Sequence, residues 1–257
     1  MTMLWWEIRI LSCCFNALPA QAGNDGDDFA GDAPPVTPDL DTLACAVARH
    51  GFIVRGGFHP APADGVPGNP GTLVMVGNAG PAMWEAFRAA VPEPTSPHPL
   101  DAWTREVLTG VARDLGASVL FPFDGPPYLP FQRWAMRGDA VFPSPIGPLI
   151  HPTYGLWHAY RAALLFAGRI PLPAPAAAVS PCAGCAAKPC LTACPVSALS
   201  PGAYDVPACV AFLDAPSGAG CLSLGCAARR ACPVGRDHVY APAQAGFHMA
   251  HFRATNR

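Results

Sequence analysis

Residues 182–195 read Cys182-Ala-Gly-Cys185-Ala-Ala-Lys-Pro-Cys190-Leu-Thr-Ala-Cys194-Pro195, and this run decides how the rest of the chain is read. Its spacing is close to the C-x2-C-x2-C-x3-C-P pattern that binds iron–sulfur cubanes. In that pattern three near thiolates wrap one corner of the cubane while the fourth turns away to a neighbouring cluster. The middle gap here is two residues longer than the pattern, and both ends are intact. A second, looser run follows, Cys209, Cys221, Cys226 and Cys232, again with a proline, Pro233, after the last.

The arithmetic of the two runs closes. If the last cysteine of each run serves the other cluster, as in two-cluster ferredoxins, Cys182, Cys185, Cys190 and Cys232 hold one 4Fe–4S cluster, and Cys194, Cys209, Cys221 and Cys226 hold the other. Every cysteine from residue 182 onward is then used. Two other readings compete. A disulfide scaffold needs an oxidising compartment. Structural zinc takes thiolate tetrads as readily, but usually from two C-x2-C pairs, and this chain has one.

Working outward, 257 residues allow one larger and one smaller domain. With 51% hydrophobic and 13% charged residues the chain is too apolar for disorder despite its 32 prolines. The formal net charge is -2, Lys188 is the only lysine, and the arginines are scattered, so the basic footprint of a nucleic-acid binder is absent and nucleic acid is not expected as a partner. No run approaches the ~20 apolar residues of a membrane span. Residues 1–38 read as a flexible leader. Its apolar run, Ile10 to Phe15, is interrupted upstream by Glu7 and Arg9 and too short for an export signal, so Cys13 and Cys14 belong to a ragged leader and the chain is expected in the cytoplasm.

From Asp39 the pattern is regular. Leu40, Leu43 and Val47 fall at helical spacing, with Cys45 a small residue of that helix to which no role is given. Thr72 to Val76 is an apolar run suited to a buried strand, Pro81 to Val91 and Asp101 to Leu115 carry helical stripes, and Ser118 to Phe121 reads as another strand. The alternation predicts a mixed α/β domain over about 39–170 without fixing strand order. Ile170 to Ser180, rich in Pro and Ala, reads as a linker, the cysteine domain spans about 178–240, and 241–257 is taken as a tail. His238, His248 and His251 read as surface residues.

The compact first run, the isolated Cys209 before Val-Ala-Phe-Leu, and the second run ending in Cys232-Pro233 resemble the C-terminal ferredoxin domain of epoxyqueuosine reductases and, more distantly, of reductive dehalogenases. Upstream, the stretch from Ile150 to Gly168 is similar to the HP-x-x-G-x-W-x-x-x-R segment of cobalamin-processing CblC-type proteins, matched by His151, Pro152, Gly155, Trp157 and Arg161. These resemblances imply an α+β protein: a nitroreductase-like (CblC-type) α/β domain that holds cobalamin, followed by a two-cluster ferredoxin-like domain. They make His151, Gly155, Trp157 and Arg161 candidate corrinoid contacts. Asp124, in Asp124-Gly-Pro-Pro, is similar in place to the proposed acid of epoxyqueuosine reductase, and on its own residues it reads as a turn former. Trp157 and its neighbours read equally as core. The chain is shorter than those reductases and lacks the helical repeats many of them append.

The expected protein is therefore an iron–sulfur reductase that takes electrons from a donor protein or reductase and passes them, through two 4Fe–4S clusters, to a corrinoid or to a substrate at the domain interface. The alternatives are a non-enzymatic electron carrier with a docking domain and a zinc-stabilised structural protein.

Overall fold

The computed structural model describes residues 38–174 and 177–257. The leader, with Cys13 and Cys14, lies outside the described residues except for Pro38. Asp39 caps the first helix, α1 (Leu40–Ala48), by accepting the Thr42 N–H at 2.7 Å, and Leu43 and Val47 form its buried stripe. Strands β1 (Ile53–Phe58) and β2 (Thr72–Ala79) follow, then α2 (Ala82–Ala90), α3 (Pro99–Asp114), β3 (Ser118–Leu120) and α4 (Phe131–Gly138). Two short strands, β4 (Phe142–Pro143) and β5 (Leu149–Ile150), pair with each other before the long β6 (His158–Phe166).

The sheet order is β1-β2-β6-β3, and each neighbouring pair is antiparallel. Strand β2 is central and buried on both faces, which is why its sequence is a continuous apolar run instead of an alternation. Alternate residues still serve opposite sides. Val74 and Val76, with Ala162 and Leu164 of β6, face the core made by α1, α2 and α3, where Met83, Phe87 and Trp103 are buried. Leu73 and Met75, with Ala163 and Leu165, face α4, where Phe131 and Trp134 complete a second core. The described chain is thus a mixed α/β structure whose sheets are small and antiparallel.

One element escaped the sequence pattern and two extend beyond it, for identifiable reasons. Strand β1 contains Arg55, which is buried because its guanidinium lies 2.8 Å from the Asp139 carboxylate. Strand β2 runs on through the polar Asn78, whose amide donates to the Tyr240 hydroxyl at 3.0 Å. Helix α3 begins at Pro99, two residues before Asp101, since proline suits the first helical turn, where no N–H partner is needed.

Beyond the linker come α5 (Pro189–Thr192), the hairpin β7 (Leu199–Ser200) and β8 (Ala203–Tyr204), α6 (Val206–Asp214), α7 (Ala219–Leu224) and α8 (Ala227–Ala231). No single helix among the described residues is long and apolar enough to cross a membrane. The bent pair α6 and Pro216–Leu224 approaches the required composition, but it carries Cys209 and Cys221 and turns by 100°. Residues 241–257 are not a loose tail. They form α9 (Pro242–Thr255), which returns to the sheet domain and packs Phe247 against Trp84 at 5.1 Å and against Phe87 at 6.1 Å. Its two buried positions, Gln244 and Ala245, make no apolar stripe, so the sequence gives the helix no signature.

The two parts of the chain meet backbone to backbone. Gly155 (φ 57°) and Gly235 (φ 73°) are left-handed, and a β-carbon on either would strike main chain of the other's loop: Val234 from Gly155, Tyr154 from Gly235. Arg229 of α8 ties the same seam by donating from Nε to the Leu156 carbonyl at 2.9 Å.

Candidate functional site

The eight cysteines from 182 onward are free thiols, so they form no disulfide scaffold; Cys45 of α1, given no role from the sequence, is disulfide-bonded. They ring two hollows. The first is lined by Cys182, Cys185, Cys190 and Cys232 together with Ile150, Lys188 and Val234. The second is lined by Cys194, Cys209, Cys221 and Cys226 with Tyr204, Phe212 and Met249.

Two short segments cross from one hollow to the other. Cys190 sits in α5, and the chain leaves that turn to place Cys194 in the second hollow. Helix α8 has Cys226 at its N-cap and Cys232 at its C-cap, one in each hollow. At ~1.5 Å of rise per helical residue, these links hold the hollows on the order of 10 Å apart.

Chemistry separates the groups such hollows can hold. Thiolates around one zinc, at ~2.3 Å from the metal in a tetrahedron, lie only ~3.8 Å from one another. Among the described residues no set of three or more His, Cys, Asp or Glu is arranged to hold a single metal ion. A polynuclear cluster spreads its thiolates further and matches a hollow ringed by four cysteines with largely apolar walls. Two thiols of each hollow also resist ionising alone. Burial pushes Cys182 up, and the neighbouring Cys232, Cys190 and Cys185 push it further, with Lys188 opposing. Burial likewise raises Cys190, Cys209 and Cys226; the Tyr204 hydroxyl opposes this at Cys209, and backbone N–H groups of Arg229 and Ala228 oppose it at Cys226. Four thiolates therefore coexist in either hollow only with a cationic group between them. Donors to sulfur are already in place, including the Ala198 N–H, 3.4 Å from Cys194 Sγ.

The upstream candidates are not gathered into a pocket. Asp124 is exposed and ion-paired with Arg105, whose guanidinium lies over the Phe121 and Phe123 rings. Gly155 is closed off by Val234. Trp157 is 1% exposed, with the Arg229 guanidinium 4.5 Å from its ring centre and Tyr240 edge-on at 5.5 Å. Arg161 is paired with Asp101 at 3.5 Å and reaches Asn78 Oδ1 at 3.4 Å. His151 accepts the N–H groups of Thr153 (3.0 Å) and Tyr154 (3.2 Å) at Nδ1, which leaves its proton on Nε2, facing Asp139 at 3.6 Å.

That last contact leads to a constellation the sequence did not reveal. Asp139 accepts from Arg55 Nε at 3.0 Å, from the Tyr160 hydroxyl at 2.7 Å and from the Ala140 N–H at 2.7 Å. The Arg55 guanidinium lies 4.7 Å from the centre of the Tyr160 ring and 5.0 Å from that of Tyr154, and Tyr154 meets His238 edge-on at 4.9 Å. Arg55 Nη1 and His158 Nδ1 are buried with no hydrogen-bond partner. The network stands directly behind the first hollow, since His151 follows Ile150, and Gly155, beside Tyr154, touches Val234. The one signal in the sequence was Arg55 itself, a charge inside an apolar strand.

Burial, then Arg55, holds His151 down to about 4, and burial, Arg161 and Arg229 hold the half-buried His248 down to about 3. Both lie below the ~6.5 of an unfolded histidine. The unfolded chain therefore binds protons that the folded chain refuses as pH falls below that value, so the stability these groups contribute is complete above pH ~6.5 and is lost towards their folded values. Urea unfolding of the wild type is expected to show a fall in stability from pH 7 to pH 5 that is smaller in His151→Asn. Equal slopes in the two proteins would show that His151 is not held neutral.

Among known proteins, no family model and no curated protein matches this chain. Several solved chains resemble it, two of them epoxyqueuosine reductases. One is epoxyqueuosine reductase with an epoxyqueuosine-modified tRNA-Tyr stem loop, at 15% identity and a TM-score of 0.43 over 75% of this chain and 62% of that one. The other is selenomethionine-labelled epoxyqueuosine reductase, at 14% identity and a TM-score of 0.44 over 78% of this chain and 68% of that one. The chain thus spans less than two thirds of the first of these proteins, and at this distance no residue role passes from either to it.

Proposed function

We propose that the protein is an iron–sulfur reductase, with a nitroreductase-like sheet domain and a two-cluster ferredoxin-like domain. The observation that carries this reading is the division of eight free cysteines into four around each of two separate hollows. Bound there, 4Fe–4S clusters would accept and pass single electrons. The chain's own residues do the rest. Apolar side chains such as Ile150, Phe212 and Met249 keep water from the hollows, and Tyr204 and the Ala198 N–H bond to sulfur. Arg55, Asp139, Tyr160 and His151 would hold and orient an acceptor at the face of the sheet domain behind the first hollow. Protein prepared without oxygen is expected to be brown and to carry about eight iron and eight sulfide per chain. A colourless protein with about two zinc would establish the structural-zinc reading instead.

Three of the four residues that suggested a corrinoid are already engaged by the chain itself, which favours a different acceptor. Gly155 and Trp157 are filled by the protein's own seam, and Arg161 is spent on Asp101 and Asn78. The acceptor in this proposal is therefore a substrate, and cobalamin added to the protein is expected to leave its visible spectrum unchanged. Nucleic acid, set aside on charge alone, returns as a substrate class to test, because one of the similar solved structures contains a tRNA stem loop. A pure electron carrier is the second reading. It has no use for the Arg55–Asp139 network, and substitutions there would leave all electron-transfer rates unaltered.

A further inference from the structure

The two hollows are alike in their donors and unlike in charge. Among the described residues that line the second, no side chain is cationic, and Arg230, whose Nε donates to the carbonyl of Gly225 beside Cys226 at 3.2 Å, stays outside its wall; the wall of the first includes Lys188. That residue is unusual twice over. It is the only lysine in a chain whose other 15 cationic side chains are arginine (16 less one). It also holds φ 38° and ψ 57°, a left-handed conformation that costs a residue with a β-carbon and that glycine takes freely. The side chain explains the exception. Its Nζ donates to the Cys185 carbonyl at 3.1 Å, which folds the ammonium back over the Cys182–Cys185 corner of the hollow. A compact ammonium on a flexible stem can make that return, whereas arginine brings a longer planar fork.

We propose that Lys188 sets the direction of electron flow, by making the centre held by Cys182, Cys185, Cys190 and Cys232 the better electron acceptor of the two. This rests on the two-cluster reading. Each electron added to a centre adds one negative charge, and a fixed cation beside it stabilises the reduced form over the oxidised one. One electron leaves the second centre, which is oxidised, and enters the first, which is reduced; no proton moves and no bond is broken. The Tyr204 hydroxyl acts in the same sense at Cys209, but it is neutral and its residue is 43% exposed, so water competes for it. The polarity agrees with position, since the first hollow is the one walled by Ile150 of the sheet domain.

The test is a potentiometric titration of the full-length, anaerobically prepared protein followed by EPR, the first centre being identified as the signal lost in Cys232→Ser. In the wild type the first centre should be reduced at the higher potential. In Lys188→Gln and Lys188→Met its reduction equilibrium should shift about tenfold against the reduced form, about 59 mV for one electron, while the second centre stays in place as an internal reference. The inference is overturned if the first centre has the lower potential, if both variants leave it unchanged, or if both centres shift equally. Failure of both variants to load the first centre would make Lys188 a structural pin and overturn it as well. Any of these with about eight iron present sinks this inference alone; a wild type without iron sinks the reading beneath it.

Discussion

Cys232→Ser is expected to halve the iron and sulfide of the protein, from about eight of each to about four, and to remove the EPR signal of the centre whose other ligands lie more than 40 residues upstream. Cys232 is 6% exposed and lines the hollow of Cys182, Cys185 and Cys190, while its neighbours in the second run, Cys209, Cys221 and Cys226, line the other. A serine hydroxyl is a poor replacement for a thiolate, and no other cysteine lines that hollow. Cys194→Ser is expected to do the reverse, removing the centre of the second run and sparing its own. Iron analysis with EPR of the reduced variants decides. If Cys232→Ser instead removed the signal that Cys209→Ser removes, each run would hold its own centre.

Trp157→Ala should destabilise the protein by ~3–5 kcal/mol, the usual cost of emptying a buried tryptophan site. The indole is sandwiched at the seam, with Arg229 on its face and Tyr240 at its edge, and Arg229 also lies 4.6 Å from the centre of the Tyr240 ring. Removing it leaves a void and takes one of the two aromatic faces from a half-buried guanidinium. At roughly 2–4 °C per kcal/mol for a chain of this size, the melting temperature should fall by roughly 10 °C. The fall should be the same with and without cobalamin, because the residue has no face free for a ligand. A variant as stable as wild type that alone loses a cobalamin-induced spectral change would place a corrinoid at Trp157 and refute the packing role.

What was legible in the sequence follows from how far each signal reaches. The cysteines announced themselves because a thiolate ligand is a discrete chemical event, so Cys182 to Cys232 could be paired off before any fold was known. Helices α1 to α3 and strand β2 announced themselves because their buried faces are locally periodic or continuous. The Arg55–Asp139–Tyr160–His151 network did not, because its members come from β1, the residue after α4, β6 and the loop after β5. Each of them, met alone, is an ordinary polar residue. Helix α9 was missed for a related reason. What holds it is Phe247 on Trp84 and Phe87, partners some 160 residues away. Motif resemblance singled out Trp157 and Arg161, while their neighbours in space, Arg229 and Asp101, come from distant segments that no local motif could indicate.

The crossings at Cys190–Cys194 and Cys226–Cys232 have a consequence for biogenesis. A module in which each run closed its own centre could be cut in two, loaded in stages, or acquired one half at a time. Here neither half is complete without the other, so insertion of the first cluster already fixes where both runs lie and presents the second site nearly finished. Occupation of one site should therefore favour occupation of the other, so that at limiting iron wild-type protein holding two clusters or none is commoner than independent loading would give, while a variant with one site destroyed still loads the other. A fragment ending before Cys209 should hold neither.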